Sequence, residues 1–248
     1  MRTRSELLAA IAASLIVLGA PAARASVTVQ ANAAIYDAGN TTLQYGFSAP
    51  TAVTLSAGVS SLQFSGVTGS DTCTTSTAGC ISINDGGNLN DADGAGAGTT
   101  TSYESGTSTI SGITASGGGY LVGLFVAGTV PSGSAPTALN FTTGSGTSFT
   151  SLSPVLDQTF FIGDGLTGDG TGSAQTFYVP TGATTLYLGI SDACNYNGGP
   201  SCYSDNSGTF SLNVAQQSAV PAVPEPAPLA ILGVGMVGVF LARRRAQA

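Results

Sequence analysis

Apolar and β-branched side chains recur in short runs along the middle of the chain, at residues 27–33, 51–55, 61–67, 120–126, 158–162, 175–179, 184–190 and 209–214. Each run is bounded by Gly, Ser, Asn or Pro, and several alternate apolar with polar positions. Alternation of period two puts one face of a strand on a core, and frequent turn residues separate short strands. Helical periodicity is missing from this stretch. The pattern predicts an all-β domain over residues 26–215, built as a single jelly-roll-like β-sandwich. Residues 84–119 and 130–148 are rich in Gly, Asp, Ser and Thr and read as surface excursions. Glu104 falls in the first of them and reads as a solvated loop residue. Residues 216–222 read as a linker, and no internal repeat is present.

The two ends follow different patterns. Arg2 and Arg4 precede an apolar stretch at residues 7–18, and Ala23-Arg24-Ala25 supplies small residues around a cleavage point. This predicts a signal helix within residues 1–25, removed by signal peptidase before Ser26. At the other end Val223-Pro224-Glu225-Pro226 is followed by an apolar segment at 229–242 and by Arg243, Arg244 and Arg245. A basic cluster stays on the cytoplasmic side, so this hydrophobic helix would enter the membrane with the main domain outside. Its apolar run is shorter than the roughly 20 residues of a comfortable span, which suits a temporary anchor. Motif, helix and Arg cluster in this order resemble the PEP-CTERM sorting signal. The resemblance implies that residues 223–248 form a tail recognised by an exosortase-type protease, which removes it and passes the protein to the cell surface or extracellular matrix. An ordinary single-span anchor has the same topology.

Charge sharpens the picture of the middle. All six basic residues are arginines and lie at positions 2, 4, 24 and 243–245, so none falls between Ser26 and Ala222. Of the 13 acidic residues, Glu6 and Glu225 lie outside, leaving 13 − 2 = 11 and a formal charge of −11. Such a surface repels phosphate backbones and excludes nucleic acid as a partner. The chain has no His, which removes Ser-His-Asp, Cys-His and His-zinc chemistry. No pair of Glu residues suggests a glycosidase. The expectation is a domain that is not an enzyme. Four cysteines fall in two close pairs, and in an exported domain they read as local disulfides, Cys73–Cys80 and Cys194–Cys202, with an all-thiolate zinc site as the rival.

One segment concentrates oxygen ligands. An apolar strand ends at Asp192, a cysteine-pinched loop follows, and Asp205-Asn206-Ser207-Gly208 opens the last strand. Asp192, Asp205 and Asn206 thus come to one edge of the domain, and a set of hard oxygens without His suits Ca²⁺. An Asx-rich loop capping its own turns is the alternative. The segment is similar to the calcium-dependent galactophilic lectins of the PA-IL type, and residues 29–39 are similar to that family's first strand and turn. The resemblance implies a calcium site made from Asp192, Asp205 and Asn206 with the backbone carbonyls of Tyr36 and Cys202. It also implies binding of a carbohydrate, although the family's histidine contact to sugar has no counterpart here. Asp91-Ala92-Asp93-Gly94 reads as an acidic loop, and residues 160–170 as a strand followed by a Gly-rich turn. Two functions stand side by side: a calcium-dependent binding module on the cell surface, or a structural surface or biofilm-matrix protein that binds no sugar.

Overall fold

A computed structural model describes residues 23–73, 89–90, 92–94 and 101–219 of the chain, within a compact unit running Ala20–Ala219. Residues 1–22 of the expected signal segment, Cys80 and the expected tail from Val223 to Arg245 lie outside the described residues, so the Cys73–Cys80 pairing does too, while residues 23–25 are strand and not helix. Among the described residues no helix is long and apolar enough to cross a membrane.

The strands are, in order, β1 (Ala23–Gln30), β2 (Thr51–Thr54), β3 (Val59–Cys73), β4 (Leu89–Asn90), β5 (Thr101–Gly106), β6 (Ser111–Ser116), β7 (Tyr120–Val126), β8 (Leu139–Asn140), β9 (Ser151–Leu152), β10 (Thr159–Phe161), β11 (Leu166–Gly168), β12 (Thr171–Ala174), β13 (Thr176–Tyr178), β14 (Thr185–Ser191), β15 (Asn197–Gly198) and β16 (Asn206–Ser218). They form an outer sheet ordered β1-β16-β3-β13-β9, with β4 on β3. A central sheet is ordered β10-β7-β14-β2, a third sheet β15-β5-β6-β8, and β11 and β12 make a separate ribbon. Short 3₁₀ turns occupy Ile35–Asp37 and Cys194–Tyr196.

The central sheet explains the architecture. Every residue of β7 and β14 is buried, as an apolar run without alternation requires when both faces are covered. Leu121, Phe125, Leu186, Leu188 and Ile190 pack with Val29, Phe64, Phe177, Phe210 and Val214 of the outer sheet. The intervening Val122, Leu124, Val126 and Tyr187 pack on the other side with Ile35, Ile113, Ala115 and Phe141. The domain is therefore all-β, as expected, but has three layers where the sequence predicts a two-sheet sandwich. Gly123, mid-strand in β7, is the place where an added Cβ would lie 2.4 Å from Phe160 Cζ. Absence of a side chain there admits the ring that stacks on Phe125, with centroids 5.1 Å apart.

All eight expected strands are present, several of them longer. β1 starts at Ala23, so a cut before Ser26 would leave Ser26–Gln30 paired with β16. β16 runs through Gln216 and Gln217, which belong to the sheet and not to a linker. The expectation that 84–119 is a surface excursion fails over 101–116, which form β5 and β6 of the third layer. Glu104, expected in solvent, is fully buried on β5. Between 130 and 148 the chain is mostly exposed, as expected, apart from the short β8 and the buried Phe141.

Candidate functional site

The three layers meet in one buried polar cluster at the end of β14. Ser191 closes that strand, and Asp192 follows into a loop pinched by the Cys194–Cys202 disulfide, whose Cα atoms are 5.1 Å apart. The loop packs a short strand, β15, alongside β5 and returns the chain to Asp205 and Asn206 at the start of β16. Asn206 Nδ2 donates to Asp192 Oδ2 at 3.0 Å and lies 3.4 Å from the Ala31 carbonyl. Asp192 Oδ1 accepts the Ala193 N–H at 2.8 Å. The Tyr203 hydroxyl accepts the Asp192 N–H and donates to the Ile190 carbonyl.

The structure thus brings Asp192 and Asn206 into contact, with Asp205 beside them. Tyr36 reaches the cluster through its side chain, its hydroxyl 3.0 Å from Ser191 Oγ. The Cys202 carbonyl faces the Asp205 N–H at 3.4 Å. Two further carboxylates enter that the strand-end pattern does not contain. Asp71 of β3 lies opposite Gly208 of β16 and so shares a face with Asn206 two positions away. Glu104 of β5 accepts a hydrogen bond at Oε2 from the Tyr120 hydroxyl, which in turn accepts one from Ser102 Oγ.

Burial governs the electrostatics here. Asp71 and Glu104 are 0% exposed, Asp192 and Asp205 6%, Asn206 7%. Neither Asp71 carboxylate oxygen nor Glu104 Oε1 has a well-formed hydrogen bond, although the Ser207 backbone N–H acts on Asp71 and the Ser191 hydroxyl on Glu104. Desolvation pushes the Asp71 carboxyl up to about 8, with the Asp192 charge adding to it and the Ser207 backbone opposing it. Glu104 rises to about 8 through burial, against the Tyr120 hydrogen bond, with Asp192 again adding. Asp192 rises to about 7, also chiefly by burial, although Asn206 and the Ala193 N–H hold it down. Tyr196, beside these acids, is pushed to about 12. Asp37 is the instructive contrast: equally buried at 1%, its carboxylate accepts the N–H groups of Gln44, Tyr45 and Gly46 and shapes a turn. Asp71 has no such set of donors. Nor does the protein offer a basic side chain, because the sole one among the described residues, Arg24, is exposed and pairs with Ala215 at the far end of β16.

A second acidic group lies elsewhere. Asp93, Asp164 and Asp169 place carboxylate oxygens within 4.8 Å of one another, and with Phe64, Leu166 and Phe210 they line a cavity of about 350 Å³. Residues 92–94 and the turn after β10, separate features in the sequence, are adjacent in space. Asp164 accepts the N–H groups of Leu166 and Gly170, which is turn chemistry as expected.

Neither a curated protein nor a solved structure matches this chain. Residues 222–245 match the PEP-CTERM protein-sorting motif, which marks the chain as an exported protein with a tail that holds it transiently at the membrane for exosortase processing.

Proposed function

We propose that this is a cell-surface or extracellular-matrix protein whose three-layered β domain is non-catalytic and held together by calcium. The observation that carries the calcium reading is the cluster of buried carboxylates Asp71, Glu104, Asp192 and Asp205 in a domain with no basic residue between Ser26 and Ala222 to neutralise them. An uncompensated buried charge is too costly to keep, so such groups are protonated or bound to a cation. The donors are all oxygens, which fits a hard ion. Asp192, Asp205 and Asn206 would hold it by their side chains; the Tyr36 and Cys202 carbonyls join the set only as the lectin resemblance implies, since Tyr36 meets the cluster through its hydroxyl and the Cys202 carbonyl faces the Asp205 N–H. Bound calcium would supply positive charge and tie the end of β14 to the start of β16.

The same burial favours the structural reading over the sugar-binding one. Ligand residues only 6–7% exposed leave little of the ion open to the vicinal hydroxyls of a carbohydrate. The absence of His and Lys from the chain supports the non-catalytic reading. The partners this implies are signal peptidase, an exosortase-type protease, the membrane before processing and the surface polymer afterwards. Intact-mass analysis of the native surface protein tests the processing. The mature chain should begin at Ser26 and lack Arg243, Arg244 and Arg245, and recovery of a chain carrying both ends would refute it.

A further inference from the structure

We propose that Asp71 of β3 is a third carboxylate of the cation site at Asp192 and Asp205, so that the longest strand of the outer sheet takes part in holding the ion. The proposal rests on the calcium reading and adds a ligand that the strand-end pattern of residues 192–206 does not contain.

Geometry puts Asp71 there. Its strand runs antiparallel to β16, and the pairs Asp71↔Gly208 and Cys73↔Asn206 set Asp71 and Asn206 on the same face. Asn206 on that face touches Asp192. Gly208, directly opposite, has no side chain that could donate to the carboxylate. Both Asp71 oxygens are buried without a well-formed hydrogen bond, the Ser207 backbone N–H being the one donor that acts on them, and the charges that act on the group are those of Asp192 and Asp205. A buried aspartate that shaped only its own strand would be satisfied as Asp37 is.

Among the described residues three carboxylates come within 4.8 Å only at Asp93, Asp164 and Asp169. Asp71 would therefore rotate about its side-chain torsions to close on the ion. Glu104, already holding the Tyr120 hydroxyl from the central sheet, stays outside the coordination.

Three carboxylates raise the charge of the site, and affinity follows ligand charge. The test uses the exported, processed protein and its Asp71→Asn variant. Calcium is titrated against the melting temperature, and terbium luminescence, sensitised by the neighbouring tyrosines, is followed in H₂O and D₂O. The variant should bind calcium at least about tenfold more weakly, and its bound terbium should carry about one more water, in the place of the lost ligand. In EDTA it should melt no lower than the wild type, since amide replaces a neutral acid. Asp71→Ser gives the same readout should the amide variant fail to fold. Wild-type calcium affinity in a folded Asp71 variant, with unchanged hydration of terbium, overturns the assignment of Asp71 while leaving calcium at Asp192 intact. A wild type that shows no calcium shift at all overturns the underlying reading as well.

Discussion

In EDTA the domain should lose stability steadily as pH rises from about 4 to about 8, and calcium should abolish that loss. Asp71 and Asp192 move from 3.8 to about 8 and about 7, and Glu104 from 4.5 to about 8, all chiefly by desolvation. Below the ordinary carboxylate range folded and unfolded chains are both protonated, and burial of the neutral acids costs little. Between the ordinary and the raised values the unfolded chain releases protons that the folded chain retains, so unfolding gains with every step in pH. Above about 8 the folded acids ionise too and the decline ends. A tenfold difference in proton affinity between folded and unfolded chains corresponds to about 1.4 kcal/mol. The three groups together therefore amount to several kcal/mol, on the order of a small domain's whole stability. Chemical denaturation between pH 4 and 9 measures this. Stability in EDTA that is flat or rising over that range contradicts the burial of these groups without partners. With calcium bound the ionised forms are the ligands, and the slope should vanish or reverse.

The second large effect belongs to the packing. Phe160 lies between Phe125, at 5.1 Å, and Phe177, at 5.5 Å, and thus joins the central sheet to the outer one. It is fully buried, and Gly123 is bare beneath it. Phe160→Ala should cost about 3–5 kcal/mol, the transfer term plus a cavity walled by rigid strands. Urea denaturation at pH 5, where the acid cluster is neutral, isolates this effect. A loss below about 1 kcal/mol would mean that the two layers do not share this core.

How much of this was legible in the sequence depends on which face each residue presents. The strands with apolar side chains on at least one face announced themselves. β7 was readable to the residue, because an unbroken apolar run from Tyr120 to Val126 marks a strand covered on both faces. The third layer was not readable, because β5 turns Ser102 and Glu104 inward where a hydrophobic period would place apolar residues. Those polar groups find partners distant in sequence, such as Tyr120. Asp71 was hidden by a bulge. Phe64 faces the core, and counting by twos from it sends Asp71 to solvent. Between Ser65↔Asn213 and Thr68↔Ser211 the register slips by one, and Asp71 passes to the inward face. Asp192, Asp205 and Asn206 were visible as oxygen-bearing side chains at strand ends, and the structure brings Asp192 and Asn206 into contact. The sorting tail was visible because its three parts stand in order, and its match to the PEP-CTERM motif rests on sequence alone.

Calcium titration of the melting temperature of residues 26–222, from an EDTA baseline at neutral pH, tests the central claim most directly. Calcium at about 100 times its dissociation constant should stabilise the fold by about 2.7 kcal/mol, and magnesium by much less, because it demands a tighter octahedral shell. Asp192→Asn should remove most of the shift, and Asp169→Asn, in the second acidic group, should leave it in place. A wild type whose melting is indifferent to calcium, or a shift lost with Asp169→Asn and kept with Asp192→Asn, would contradict the account.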